Sequence, residues 1–133
     1  MKAGVGVEKI IAIAVFAVIG GGSRELLSLI VTWPQHFWIT AIINVTGALV
    51  LSLITNLLPA RLPVSDDIVT GLSVGLVGSF TTFSTFSNET LQLLQSGHSV
   101  LALAYIAVTL ILGLLASLAG NLLSEHWLPT EEL

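Results

Sequence analysis

Apolar residues in this chain run in long stretches, separated by short clusters of charged, proline and tryptophan positions. A helix needs about 20 predominantly apolar residues to cross the hydrocarbon core of a bilayer. Four stretches reach that length, and they predict membrane spans over about 8–31, 37–58, 68–94 and 100–123.

The second and fourth spans are the cleanest. Phe37 to Leu58 holds no charged residue and stops at Pro59, beyond which Arg61, Pro63, Asp66 and Asp67 form a polar loop. Val100 to Leu123 is also uncharged and ends at Glu125, His126 and Trp127. The first span is interrupted by Gly20, Gly21 and Gly22 and by the pair Arg24 and Glu25, before Trp33 and Pro34 mark an interface and a turn. A secretory signal peptide competes for this segment, because Lys2 and Lys9 precede an apolar run followed by small residues. A retained span is the expectation carried forward.

The third span changes character along its length. Up to Gly78 it is apolar and glycine-rich, whereas Ser79 to Thr90 holds nine polar residues, interrupted only by Phe80, Phe83 and Phe86. Polar side chains in hydrocarbon have no water to bond, so this segment is expected to face protein or an ion pathway. Gly75 and Gly78, just ahead of it, predict a helix break. A broken span frees carbonyls on one half and N–H groups on the other.

Composition reinforces the membrane reading. Of the residues, 54% are hydrophobic and 9% charged, with a mean hydropathy of +0.98, where a soluble domain carries roughly a quarter as charged residues. Four Lys and Arg against eight Asp and Glu leave no basic patch for nucleic acid. The absence of cysteine removes disulfides, zinc-thiolate sites and thiol nucleophiles. His36, His98 and His126 lie far apart near predicted helix ends and read as interfacial side chains. The Gly20 to Gly22 run lacks the lysine of a phosphate loop, and no nucleophile–base set is present, so an enzyme is not expected. Lys2, Lys9 and Arg61 fall on one side of the four-span arrangement, which favours both termini in the cytoplasm.

The fold class is therefore an all-α membrane protein, one four-span domain over residues 1–133. Four helices packed around their own side chains leave little room for an aqueous route, so a homodimer is expected. Small residues four apart, at Gly71 and Gly75, Ala48 and Ser52, and Gly113 and Ser117, allow close helix approach. They suit packing within the chain or between subunits.

On a helix advancing 100° per residue, Thr82, Thr85 and Glu89 share one stripe and Phe83 and Phe86 the neighbouring one. Ser and Thr bonding back to their own helix is the bland alternative. Asn44 offers two N–H donors at membrane depth, for a pathway or as interhelical glue. Tyr105, Thr109, Gly113 and Ser117 recur every four residues and form one face of the fourth span. Arg24 near a span end can snorkel, hold helix-end carbonyls, or supply positive potential at an anion vestibule.

The segment GLVGSFTTFSTFSNET, Gly75 to Thr90, resembles the signature of the Fluc fluoride channels, also called CrcB proteins. GGGSRE at Gly20 to Glu25 looks like the family's glycine-rich first span ending in Arg, and INVTGALVLS at Ile43 to Ser52 is similar to its second-span pattern. The resemblance implies a dual-topology, antiparallel homodimer with two pores in a bacterial inner membrane, giving passive fluoride export and fluoride resistance. It implies a structural sodium ion at the dimer centre, held by the backbone carbonyls of Gly78 and Thr81. It also implies a fluoride pathway of Asn44, Thr82, Phe83, Thr85, Phe86, Glu89, Tyr105 and Thr109, with Arg24 at the vestibule. The chemistry is coherent: fluoride is small and strongly hydrated, and hydroxyls, an amide and the positive edges of phenyl rings replace its water without the trap of a fixed lysine.

The rival reading is a proton-coupled exporter of the small multidrug type, with Glu25 or Glu89 as proton carrier. It leaves the hydroxyl-rich third span unexplained. A non-transport assembly subunit would need packing motifs but no continuous polar track.

Overall fold

The computed structural model describes residues 6–30 and 36–128, and among these there are helices and no strands. Helix α1 covers Val7–Ile30 and α2 covers Phe37–Asn56, followed by a short helix α3, Leu58–Arg61. The third span begins with α4, Asp66–Thr70, continues as a π-helical segment, Gly71–Val77, and passes into α5, Gly78–Phe80. After Thr81 and Thr82 comes α6, Phe83–Gln95, and α7 runs from Ser99 to Trp127. Four helical stretches, Val7–Ile30, Phe37–Arg61, Asp66–Gln95 and Ser99–Trp127, are long and apolar enough to cross a membrane. The expected Trp33–Pro34 turn, Lys2 and the polar tail beyond Leu128 lie outside the described residues.

The first span is one continuous helix through Gly20 to Gly22, and the fourth is longer than expected, taking Glu125 and His126 into its last turn. Arg61 ends a continuation of the second span, because Leu57 N–H still bonds Leu53 O and Arg61 N–H bonds Leu57 O. The loop after it is stopped by Ser65, whose hydroxyl accepts from Ile68 N–H and so caps α4.

Glycines set how closely the helices approach. A methyl group added at Gly75 would lie 2.5 Å from the Ile13 carbonyl oxygen, and one at Gly71 would lie 2.7 Å from the Phe16 ring, so α1 seats on the π-helical segment backbone to backbone. Gly20 makes the reciprocal contact against Leu76 O. On the other side α2 packs along α7, with Gly120 against Ser52 and the Ser52 hydroxyl donating to Ser117 O at 2.9 Å. The small residues Gly71, Gly75, Ser52 and Ser117 are thus used within the chain, whereas Gly113 has open space where a Cβ would stand.

The third and fourth spans are joined by a tight turn. Gly97, with φ at +78°, lets its own N–H reach Leu94 O and the His98 N–H reach Leu93 O, which satisfies the last carbonyls of α6. Lys9 and Asp67 pair at 3.6 Å at the end of the bundle where α1 starts. Arg61 and Trp127 border one groove, and His36 and His98 border one cavity at the opposite end. These contacts give an up-down order of spans with Val7 and Trp127 at the same end.

Candidate functional site

Between α5 and α6 the helical path is interrupted at two threonines rather than at the glycines. Thr81 (φ −76°, ψ 158°) and Thr82 (φ −148°, ψ 120°) are both extended. Gly75 serves close packing instead, and Gly78 continues the helix.

The interruption is held by Asn44 of α2. Its amide nitrogen donates to Thr82 O at 3.0 Å and its amide oxygen accepts from Thr82 N–H at 2.8 Å. One side chain thereby satisfies both backbone groups of the extended residue, which hydrocarbon could not do. One amide N–H of Asn44 stays available. The Thr82 hydroxyl caps α6, accepting from Thr85 N–H at 3.2 Å, and donates to the Thr85 hydroxyl oxygen at 3.0 Å. Thr85 therefore keeps its own O–H for another acceptor.

In an unbroken helix Thr82 N–H would bond Gly78 O and Thr85 N–H would bond Thr81 O. Both donors are turned elsewhere, so these two carbonyls lack their helical partners. Gly78 and Thr81 border a cavity of about 370 Å³, together with Asn44, Ser73, Thr82 and Phe83.

A second cavity, of about 290 Å³, brings Arg24 and Glu25 of α1 together with Thr40 of α2 and with Thr82, Thr85 and Glu89. The stripe expected on the third span thus forms one wall, and Arg24 faces the same space. The Glu89 carboxylate is held on both oxygens, by the Thr40 hydroxyl at 3.1 Å and by the Tyr105 hydroxyl at 2.8 Å. Tyr105 is fully buried, with Phe37 edge-on at 5.2 Å and Phe86 at 5.0 Å between ring centroids. Phe83 lies 6.2 Å from Phe86 and is 80% exposed, so the two rings step from the interior to the outer face. Thr109 is buried on α7 with no hydrogen-bond partner for its hydroxyl among the described residues, and it borders neither cavity.

Two residues of the site were missed from sequence. Thr40 had a readable signal, since it stands one helical turn before Asn44 and shares its face of an uncharged span. His36, read as a stray interfacial histidine, borders both the second cavity and a third, of about 340 Å³, that also contains Glu89 and His98. No periodicity announces it.

Membrane-length helices with polar side chains converging on cavities between them define a multi-pass helical membrane protein. The chain belongs to the CrcB family: the model of the family described as CrcB-like protein, Camphor Resistance (CrcB), matches residues 11–121. A Lactiplantibacillus plantarum protein named fluoride-specific ion channel FluC 2 is 75% identical over 125 residues, covering 94% of this chain and 98% of the relative. Proteins named fluoride-specific ion channel FluC from Pseudomonas fluorescens SBW25 and Pseudomonas syringae pv. tomato DC3000 are 42% and 38% identical, covering 70% and 86% of this chain and 76% and 94% of theirs. The family is one of bacterial membrane channels and not of enzymes.

Proposed function

We propose that this protein is a fluoride-selective channel, giving passive, electrogenic export as an antiparallel homodimer with two pores. The observation that carries the reading, beside the family, is the contrast within α6: it is the most polar membrane segment of the chain, yet none of its residues is buried by the chain itself. A second copy laid against it, with anions threading between, would cover what lipid cannot.

In this reading each pore is lined by the hydroxyls of Thr82 and Thr85, by the Asn44 amide and by the ring edges of Phe83 and Phe86. Phe83, exposed in one chain, would then stand where the partner closes the pore wall. Arg24 supplies positive potential at the mouth without blocking the narrow part. Glu89, bound on both oxygens by hydroxyls, is kept from presenting a bare negative charge to the anion. Tyr105 and Thr40 are thereby positioning residues, and Thr109 extends the polar face of α7.

The carbonyls of Gly78 and Thr81 suit a structural sodium ion. Carbonyl oxygens are the donors a hard cation takes, and both have lost their helical N–H partners. One chain offers two such oxygens, and a second copy related by a two-fold axis would double the set. Bound there, the ion would supply fixed positive charge that ties the two interrupted spans together.

Purified protein in liposomes loaded with potassium fluoride tests the proposal, with external fluoride followed before and after valinomycin. Fast efflux that requires valinomycin, is absent for chloride and is lost in Phe83→Ile is the expected result. Efflux independent of valinomycin and driven by a pH gradient would overturn it in favour of proton coupling through Glu25 or Glu89.

A further inference from the structure

Outside the polar cavities, one groove in the bundle combines a long apolar wall with a single charge. Its volume is about 430 Å³, and it runs along the end of the second span against the end of α7, with Leu53, Ile54, Leu57 and Leu58 on one side and Trp127 on the other. Arg61 is the one charged residue in its wall, and among the described residues it forms no ion pair. We propose that this groove is a binding site for one anionic phospholipid, with an acyl chain along the leucines and the headgroup phosphate on the Arg61 guanidinium.

Depth supports this occupant. Counted from Phe37, about 20 residues bring the second span to the far boundary of the hydrocarbon core, near Asn56 and Leu57. Leu53 and Ile54 then lie one turn inside the core, and Arg61 lies about 6 Å beyond the boundary, at headgroup level. The backbone keeps that geometry because the helical bonds pass through Leu57 to Arg61. Trp127, half-exposed at the end of α7, has the place of an interfacial aromatic. The groove therefore spans the same two layers as a phospholipid, apolar below and phosphate above.

Charge supports it too. A guanidinium matches a phosphodiester through two parallel N–H bonds and is less strongly hydrated than an ammonium. A single arginine selects a singly charged headgroup, whereas a zwitterionic lipid brings a compensating cation that gains nothing here. The proposal is independent of which ion the protein conducts.

Native mass spectrometry of the detergent-purified full-length protein tests it, with phosphatidylglycerol and phosphatidylcholine of identical acyl chains added in equal amounts. One basic side chain near a lipid phosphate favours the anionic lipid by about fivefold. That preference is expected in the wild type, retained in part by Arg61→Lys, and abolished by Arg61→Gln with helicity and elution unchanged. Equal retention of both lipids by the wild type would overturn the proposal, as would an undiminished preference in Arg61→Gln. The acidic tail is the competing occupant: a preference that emerges only in the double variant Glu131→Gln, Glu132→Gln would assign the groove to the tail instead. Complete displacement of the lipid by excess inorganic phosphate would reduce the site to a bare anion contact and also overturn it.

Discussion

Between Gly71 and Val77 the third span buries two glycines and a valine against its neighbours, whereas between Phe83 and Gln95 it buries no residue at all. The first half is held by close approach, Gly71 and Gly75 letting the α1 backbone come to contact distance. The second half is held by the partly buried Phe86 and Leu93 packed against Phe37, Ala41 and Tyr105, and by a few directed bonds, two between Asn44 and Thr82 and one each from Thr40 and Tyr105 to Glu89. Close packing resists any change of shape. Directed bonds leave the rest of the surface free for an ion or a partner, at the expense of depending on single side chains.

Substitutions can break or sharpen that contrast. The largest effect belongs to Gly75→Val, whose Cβ meets the Ile13 carbonyl and has no flexible neighbour to move. A loss of about 3 kcal/mol or more is expected, seen as failure to recover monodisperse protein. Recovery of normal protein would mean that α1 is not seated as described. Next comes Asn44→Leu, which leaves both Thr82 backbone groups without partners in the membrane. About 2 kcal/mol should be lost in thermal unfolding in detergent, and anion flux should fall with it. Loss of flux without loss of stability would make the amide a pathway group and not a staple. Tyr105→Phe removes one bond to Glu89 but keeps the ring among Phe37 and Phe86, and about 1 kcal/mol is expected by the same measurement. Gly113→Ala should be the smallest, within about 0.5 kcal/mol, because nothing lies within 4 Å of the added methyl. A large effect there would reveal a partner subunit against that face.

The helical spans were legible because length and charge exclusion are local properties of the chain. The polar stripe was legible for the same reason, since Thr82, Thr85 and Glu89 sit within one short segment. The location of the interruption was not. Glycine content pointed to Gly75 and Gly78, but the extended residues are Thr81 and Thr82, because the stabilising amide arrives from another helix. Part of that signal was present all the same: a threonine ahead of a helical segment is a natural cap, and Thr82 caps α6. The engagement of Glu89 by Thr40 and Tyr105 was hidden too, since hydrogen bonds across helices depend on packing and leave no period in the sequence.

The Asn44 amide bonds both backbone groups of one residue, and this restricts how the third span can change over time. Moving the interruption along the span by a single residue would need a donor–acceptor side chain at a new height on α2. Usable positions on that face recur only every three or four residues, steps of about 5 Å. Insertions and deletions between Gly78 and Phe83 are therefore out of phase with the Asn44 support, while substitutions in α6 beyond Thr85 leave that support untouched. The interruption behaves as a fixed reading frame, against which the positions of the rest of the wall are counted.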